Sequence, residues 1–238
     1  MKAFLLAAGK GQRLRPLTNT IPKCLVPING KPLLGLWLEL CHTYGITEVL
    51  INLHHLPQQV QVFLRDHDFG LRVRTCFEKE LLGTAGTVAT NQSFVVNERD
   101  FFILYADNLT DVDLGQMLAF HRAHGGEFTM GLFRTHKPQQ CGIVALGATH
   151  RIIDFVEKPV YPKSNLANAG IYIANSTIFR HFPPQPCLDF GFDILPRLVG
   201  KIYGYVIQDY VLDIGTMDNY LLAQQTWGQR HHACRVSG

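Results

Sequence analysis

The chain has 238 residues, of which 47% are hydrophobic and 17% charged, and its formal net charge is +3. This composition is that of a globular protein, no apolar run approaches the length of a membrane span, and the small charge argues against nucleic-acid binding. Six cysteines without CxxC spacing indicate neither a zinc site nor a disulfide framework, so we expect reduced thiols in a cytoplasmic protein.

Short apolar runs alternate with longer amphipathic stretches in the first part of the chain, which is the pattern of a doubly wound α/β sheet. Buried strands are predicted at Ala3–Ala8, Val49–Leu53, Phe101–Ala106 and Phe128–Phe133. Helices are predicted at Leu33–Tyr44, Pro57–Asp66, Thr84–Asn91 and Leu114–His124. The last of these ends at two glycines, as helices often do.

The pattern after residue 133 predicts a more meandering set of strands. They are placed at Gly142–Leu146, Ile152–Glu157, Ala169–Ala174 and Tyr203–Ile207. The proline-rich Phe182–Pro186 is predicted to be a surface loop, and a final helix begins near Thr216. Since no linker divides the chain, we expect a single domain over residues 1–228, followed by a disordered tail over residues 229–238.

The first candidate site follows the first strand, in the sequence LAAGKGQR that ends at Arg13. Residues 1–38 contain six Lys or Arg and no Asp or Glu, which suggests a small anionic ligand. A glycine turn after a parallel strand lets backbone N–H groups approach phosphates. Neither a Walker lysine-serine nor a third Rossmann glycine is present. A phosphate loop charged by Arg13 remains, with an ordinary tight turn as the alternative.

Lys23 is the second candidate, because Pro22 and Pro27 flank it and predict a defined extended segment. Rigid placement suits a catalytic cation, whose charge must be aimed before the reaction begins. A solvated lysine in a loop is the alternative.

Asp107 and Asp213 each follow a predicted strand, so they could meet at the carboxyl edge of the sheet, where ligands of open α/β sheets bind. Two carboxylates at that edge suit Mg²⁺, which prefers oxygen ligands. A helix cap or Asx turn explains either residue equally well.

Blocks of sequence in a fixed order resemble the sugar-1-phosphate nucleotidyltransferases, and the GDP-mannose pyrophosphorylase branch in particular. The blocks are LAAGKGQRLRPLT, PKCLVPINGKPLL, LGTAG, YADN, FVEKP, NAGIY and LDIGT. Ala8, Gln12 and Cys24 depart from residues that are frequent in the family. Alanine is small enough to preserve the loop, and Gln12 still offers a hydrogen-bond donor.

The resemblance implies an α/β fold: a three-layer, mostly parallel, doubly wound and Rossmann-like sheet, the nucleotide-diphospho-sugar transferase fold. It implies a nucleotide-binding half over about residues 1–110 and a sugar-binding half over residues 111–227. Because the chain ends soon after the last helix, we expect no C-terminal β-helix of the kind found in longer relatives.

The resemblance also implies site residues. It gives catalytic roles to Arg13 and Lys23, and a metal to Asp107 and Asp213. The implied nucleotide-binding residues are Leu6, Ala7, Ala8, Gly9, Gly11, Arg13, Lys23, Gly83, Thr84, Ala85, Gly86 and Asp107. The implied sugar-phosphate-binding residues are Asn108, Gly142, Glu157, Lys158, Asn168 and Gly170.

The implied reaction joins a nucleoside triphosphate to a sugar 1-phosphate with Mg²⁺ as cofactor, for nucleotide-sugar and cell-surface polysaccharide biosynthesis. GTP with mannose or manno-heptose 1-phosphate is favoured. Uridylyl transfer to an N-acetylated sugar such as N-acetylmuramate 1-phosphate is the alternative. A homodimer is compatible with the family; nucleic acid and membrane are not expected as partners. A catalytically inactive nucleotide-sugar sensor would be expected to lose a charged site residue, and none is missing.

Overall fold

The computed structural model describes the backbone of residues 1–235 and the side chains of residues 1–228. The strands are β1 Lys2–Leu6, β2 Pro27–Ile28, β3 Lys31–Pro32, β4 Glu48–Leu53, β5 Arg72–Phe77, β6 Phe101–Tyr105, β7 Asn108–Thr110, β8 Phe128–Arg134, β9 Gly142–Leu146, β10 Ile152–Glu157, β11 Leu166–Ala174, β12 Tyr203–Val206 and β13 Val211–Asp213. The α-helices are α1 Leu33–Thr43, α2 Pro57–Asp66, α3 Gly83–Thr90, α4 Leu114–His124, α5 Leu195–Leu198 and α6 Met217–Arg235.

A mixed nine-stranded sheet forms the centre of the molecule. Its parallel part has the order β6-β1-β4-β5, and β12 also runs parallel to β8. The antiparallel strand β11 lies beside β6 and connects this part to β8, β9 and β10. All six residues of β4 are buried, as expected for a parallel strand covered on both faces. The mainly parallel central sheet confirms the predicted α/β fold class.

Helices cover both faces of the sheet, so the molecule has three layers. Trp37 of α1, Met117 of α4 and Trp227 of α6 belong to the core on one face. Val88 of α3 and Leu195 of α5 belong to the core on the other face. Packing of helices on both faces therefore removes the apolar side chains of the central strands from water. This burial is the main stabilising contribution in such a fold.

Five strands were not predicted, and their sequences show why: β2, β3, β5, β7 and β13. The strands β2 and β3 have two residues each and pair only with one another. The strand β5 forms an edge of the sheet, and four of its six residues are exposed, so it has no apolar run. The strands β7 and β13 have three residues each and pair only with one another in a separate antiparallel ladder. Such short segments have too few residues for a recognisable period.

The C-terminal helix α6 is longer than predicted. Its backbone is helical to Arg235, so it includes most of the segment predicted to be a disordered tail. The segment contains no proline that would end the helix, and Gly228 alone does not interrupt it. Residues 236–238 lie outside the described residues.

Two further expectations concern membrane-spanning helices and the state of the cysteines. Across residues 1–235, no helix combines the length and the apolar character needed to cross a membrane. Five of the six cysteines carry free thiols: Cys24, Cys41, Cys76, Cys141 and Cys187. The sixth, Cys234, lies outside the described side chains.

Candidate active site

The site begins where two adjacent parallel strands end. In the register of β1 and β6, Leu6 lies opposite Tyr105, and the Ala106 N–H donates to the Leu6 carbonyl at 3.0 Å. The segments that leave the two strands therefore start side by side at the carboxyl edge of the sheet, which is the usual ligand-binding edge in open α/β sheets. A first cavity at this edge is lined by Leu6, Ala7, Ala8, Gly9, Lys23, Gly83, Thr84 and Asp107 among the predicted residues.

The loop after β1 is held by the side chains of Asn52 and Thr18. Asn52, at the end of β4, accepts a hydrogen bond from the Ala7 N–H at 2.7 Å. Gly11 has a φ of +61°, and a Cβ there would approach Thr18 Cγ2 at 2.8 Å. The Thr18 hydroxyl donates to the Gly11 carbonyl at 2.7 Å. Gly11 is thus required by the turn itself, and it does not line the cavity.

Lys23 lies at the centre of the charged groups. Its Nζ is 2.6 Å from Asp107 Oδ2 and 3.8 Å from Asp213 Oδ1. The side chain is only 8% exposed. Contrary to the extended segment predicted, Lys23 begins a short 3-10 turn after Pro22, because the Leu25 N–H bonds to the Pro22 carbonyl at 2.8 Å. The turn buries the lysine beside the two carboxylates.

The two aspartates meet through the ladder of β7 and β13. Asp213 pairs with Asn108 in this ladder, and the Ile214 N–H donates to the Asp107 carbonyl at 3.1 Å. Arg13 approaches from solvent, with an Nη2 to Asp213 Oδ2 distance of 3.9 Å. Burial and the charge of Asp107 raise the pKa of Asp213, whereas Lys23 and Arg13 lower it. The two aspartates therefore lie together, as predicted, and Arg13 of the loop after β1 lies beside them.

The donor set fits a hard divalent cation. Asp213 Oδ1 is buried and accepts no hydrogen bond. A buried carboxylate oxygen without a hydrogen bond is costly, and Lys23, at 3.8 Å, interacts with this one by charge but is too far away to donate a hydrogen bond to it. Within residues 1–228, no group of three or more His, Cys, Asp and Glu side chains forms. Two carboxylates suffice for Mg²⁺, which usually completes its coordination with substrate phosphates and water.

The LGTAG loop begins α3, and only part of it reaches the cavity. Gly83 and Thr84 line the cavity, while Ala85 and Gly86 are buried and donate their N–H groups to the Leu188 carbonyl at 2.9 and 3.0 Å. A Cβ at Gly83 would overlap this carbonyl oxygen. The small residues of this loop also let residues 186–188 pack against the start of α3.

The segment Cys187–Asp193, which we name the crossing segment, was missed by the sequence analysis. Asp189 Oδ2 accepts a hydrogen bond from the Thr84 hydroxyl at 2.9 Å, and the same hydroxyl accepts one from the Phe190 N–H at 2.9 Å. Asp189 lines both the first cavity and a second one beside it. The acidic and aromatic residues here carried no recognised motif, and only the fold brings them to the site.

A buried polar network behind the first cavity was also missed. Asn52 donates to Glu78 Oε1 at 2.9 Å and to Thr87 Oγ1 at 3.0 Å, and Thr87 donates to Glu78 at 2.5 Å. Asn52 and Glu78 both line the cavity. A signal existed for Asn52, since it is the polar residue of the otherwise apolar predicted strand Val49–Leu53. For Glu78 we see none.

The second cavity contains all six residues predicted to bind the sugar phosphate: Asn108, Gly142, Glu157, Lys158, Asn168 and Gly170. It shares Tyr105, Asp107 and Asp189 with the first cavity, so the two adjoin. Asp213 also lines it. The aspartate pair thus stands at the junction of the two cavities.

Glu157 and Lys158 end β10 and reach the second cavity from the same side. Lys158 has a φ of +49°, and its Nζ is 3.9 Å from Glu157 Oε1. Burial raises the pKa of Glu157, and Lys158 opposes this shift. A Cβ at Gly142 would lie 2.5 Å from Glu157 Oε2, and one at Gly191 would lie 2.7 Å from it. The two glycines therefore provide the space for this carboxylate.

Three predicted residues of the second cavity have structural partners. Asn108 donates its amide to the Ala169 carbonyl at 2.7 Å, and Asn168 donates to the Tyr172 hydroxyl at 2.7 Å. Gly170 has a φ of +63°, and a Cβ there would lie 2.7 Å from the Tyr105 ring. The pairing of β11 with β8 shifts register between Asn168 and Tyr172, on either side of Gly170.

Comparison with known proteins agrees with this fold. The sequence profile of the family described as "Nucleotidyl transferase" matches residues 2–230. The chain therefore belongs to the nucleotidyl transferase family.

Two curated relatives and one solved structure illustrate the similarity. Mannose-1-phosphate guanylyltransferase 1 of Arabidopsis thaliana is 33% identical over 228 residues, and the catalytic subunit beta of Danio rerio mannose-1-phosphate guanylyltransferase is 34% identical over 227. Each match covers 93% of this chain and 63% of the relative, so the chain spans under two thirds of their length. HddC from Yersinia pseudotuberculosis complexed with GMP-PN has the same fold, with a TM-score of 0.81, 22% identity and coverage of 95% and 99% of the two chains.

Proposed function

We propose that this chain transfers a nucleoside monophosphate from a nucleoside triphosphate to a sugar 1-phosphate and releases pyrophosphate. The observation that carries the proposal is the position of Lys23, Asp107 and Asp213 at the junction of two cavities. A reaction between two phosphorylated substrates needs cationic groups at the point where they meet. The proposed transfer is of a guanylyl group to mannose 1-phosphate or a manno-heptose 1-phosphate. The names of the curated relatives support mannose 1-phosphate as the acceptor, and the GMP-PN complex of HddC supports a guanine nucleotide.

The chemistry needs no covalent enzyme intermediate. An oxygen of the sugar phosphate attacks the α-phosphorus in line, the bond to the bridging oxygen breaks, and pyrophosphate takes the electron pair. Lys23, buried beside Asp107, is placed to stabilise charge on the α-phosphate. Arg13, which is 64% exposed, can turn toward the triphosphate. Lys158 lowers the cost of bringing a second anion into the site.

We further propose Asp107 and Asp213 as ligands of a resident Mg²⁺. When bound, this ion would supply positive charge shared between the carboxylates and the nucleotide phosphates. The unsatisfied Asp213 Oδ1 supports this assignment.

We also propose GTP as the preferred nucleotide, the cytoplasm as the location, a homodimer as the assembly and cell-surface polysaccharide biosynthesis as the pathway class.

The proposal is tested with four nucleoside triphosphates, each combined with mannose, manno-heptose, glucose and N-acetylated sugar 1-phosphates, while pyrophosphate release is measured. We expect the highest kcat/KM with GTP and a manno-configured sugar, and loss of activity with EDTA that Mg²⁺ restores. The highest kcat/KM with UTP and an N-acetylated sugar would instead identify a uridylyltransferase. Nucleotide binding without turnover of any pair would identify an inactive sensor.

The metal assignment is tested with Asp107→Asn, which keeps the size of the side chain and removes its charge. We expect kcat to fall by about 100-fold or more at saturating Mg²⁺. The matched control is Asp66→Asn, because Asp66 is exposed at the end of α2 and lines neither cavity. Pyrophosphorolysis at near the wild-type rate in Asp107→Asn would contradict the assignment.

A further inference from the structure

Phe192 is the most exposed of the aromatic side chains that line the second cavity, which also include Tyr105 and Phe133. Its residue is 62% exposed, and it lines the second cavity together with Glu157, Lys158 and Asn168. A single exposed phenylalanine on an open surface needs no explanation. One inside a cavity lined by charged and amide groups is different, because ligand sites combine a few polar groups with aromatic walls.

The crossing segment holds Phe192 in a fixed place. Asp189 Oδ1 accepts hydrogen bonds from the Gly191 N–H at 2.7 Å and the Phe192 N–H at 3.3 Å, while Asp193 Oδ2 accepts one from the Asp189 N–H at 2.7 Å. Phe190 and Ile194 are fully buried on either side. The turn is therefore anchored at both ends, and its exposed residue is Phe192.

We propose that Phe192 is a specificity-determining residue that packs its ring against the C–H face of the sugar of the sugar 1-phosphate. The inference rests on the proposed function, and it adds a contact with the sugar ring that the proposed function assigns to no residue. A pyranose ring presents hydroxyl groups at its edges and C–H groups on its faces. In the second cavity, Glu157 and Asn168 offer polar partners for the edges, and Lys158 offers a charge for the phosphate. Phe192 supplies the apolar surface that such a ligand still requires.

The contact predicts a selective effect on one substrate. In Phe192→Ala, we expect the KM for the sugar 1-phosphate to rise about fivefold or more, since a lost aromatic contact weakens binding by about this factor. The KM for the nucleoside triphosphate should stay within about twofold of wild type. Phe192→Tyr keeps the ring and should restore the wild-type KM, whereas Phe192→Leu should give an intermediate value.

Phe77→Ala is the matched control, because Phe77 is also a phenylalanine that is 62% exposed and it lines neither cavity. It should leave the KM for the sugar 1-phosphate unchanged. Thermal unfolding of each variant shows whether the fold is retained. We expect it to be, because both rings are mostly exposed.

The possible results separate this inference from the proposed function. A wild-type chain that turns over no pair of substrates contradicts the proposed function, and the inference with it. An active wild type with an unchanged sugar KM in Phe192→Ala contradicts only the role of Phe192. Equal increases of both KM values also overturn it, because they indicate a general disturbance of the site. A selective increase that Phe192→Tyr reverses supports it.

Discussion

Lys23 combines burial with two acidic neighbours, an arrangement that a surface lysine does not have. Its ammonium group is 2.6 Å from Asp107 and within 3.8 Å of Asp213, and its side chain is 8% exposed. A buried charge requires such partners, because desolvation would otherwise be costly. The lysine is consequently oriented before any substrate arrives. Such preorganisation gives an electrostatic group its catalytic effect.

Replacing Lys23 by methionine keeps the length of the side chain and removes its charge. We expect Lys23→Met to lower kcat by about 100-fold or more, because no other described cation lies as close to Asp107. The measurement is the steady-state rate at saturating substrates. Lys31→Met, at an exposed lysine that pairs with Glu39, is the control and should keep the wild-type rate. Similar rates in the two variants would exclude a catalytic role for Lys23.

His121 is a buried histidine away from both cavities. Its Nδ1 is hydrogen-bonded to the Thr129 hydroxyl at 2.8 Å, and its Nε2 is 3.5 Å from Asp100. Burial lowers the pKa of His121 below its ordinary value of 6.5, although Asp100 opposes the shift. The folded protein therefore keeps the imidazole neutral at a pH where the unfolded chain binds a proton.

This lowered pKa predicts how stability depends on pH. The contribution of a neutral His121 is complete above pH 6.5 and is lost as the pH falls from 6.5 toward the folded pKa. We expect the free energy of unfolding to decrease more steeply between pH 7 and 5.5 in wild type than in His121→Asn. Urea unfolding at several pH values measures this slope. His136→Asn, at an exposed histidine, should keep the wild-type slope; parallel curves for His121→Asn would contradict the assignment.

At the scale of elements, the start of α3 is defined by its contact with the crossing segment. The Leu188 carbonyl accepts from Ala85 and Gly86, and the Leu188 N–H donates to the Leu82 carbonyl at 2.9 Å. The first turn of a helix has N–H groups without intrahelical partners, and here a distant loop satisfies two of them. This loop is the crossing segment, which also carries Asp189 to the candidate site. The same contacts therefore cap α3 and position Asp189.

Gly83 tests this contact, because its φ of +75° and the nearby Leu188 carbonyl both demand glycine. Gly45 has a similar φ of +70° but open space around it, which makes it a matched control. We expect Gly45→Ala to reduce the free energy of unfolding by about 1 kcal/mol. Gly83→Ala should cost about 2 kcal/mol more, because the added methyl group displaces the crossing segment. Equal losses in urea unfolding would show that the contact is not required.

At the scale of the whole molecule, the small ladder of β7 and β13 determines where the two carboxylates of the candidate site lie. These strands are about a hundred residues apart in sequence, and they pair outside the main sheet. The ladder places Asp213 beside Asp107 and leaves Asp213 Oδ1 without a hydrogen bond. Binding of a cation with nucleotide would relieve the repulsion between the two carboxylates. The folded state should therefore be stabilised by these ligands.

We expect Mg²⁺ together with GTP to raise the Tm of the wild-type protein by several degrees, because ligands that bind only the folded state stabilise it. Asp213→Asn should lose most of this shift, while Asp66→Asn should keep it. The measurement is thermal unfolding with GTP and either Mg²⁺ or EDTA. A full shift in Asp213→Asn, or the same shift in EDTA, would contradict the proposed metal site.

The sequence was sufficient to predict a strand or helix wherever apolar residues recur at a regular spacing over several residues. It placed β1, β4, β6 and β8, and helices α1, α2 and α4, within a few residues of their bounds, because buried strands and amphipathic helices repeat their pattern over five or more residues. It also identified Asp107 and Asp213 as residues that could meet, and Lys23 as a separate candidate. The expected strand end holds for Asp107, which follows the parallel strand β6, whereas Asp213 belongs to the short antiparallel strand β13.

Only the tertiary structure decided the contacts between segments that have no pattern of their own. The ladder of β7 and β13 is too short to be predicted, yet it is what brings Asp213 to Asp107. The LGTAG loop and the crossing segment are each irregular in sequence, and their mutual hydrogen bonds determine which small residues reach the cavity. The sequence by itself determined which charged residues belong to the candidate site and at which edge of the sheet they gather. Both follow from local features, namely the motifs and the apolar periodicity of the neighbouring strands. The partition of that edge into two cavities, with Phe192 as an apolar wall, depends on packing between distant segments, which local periodicity does not encode.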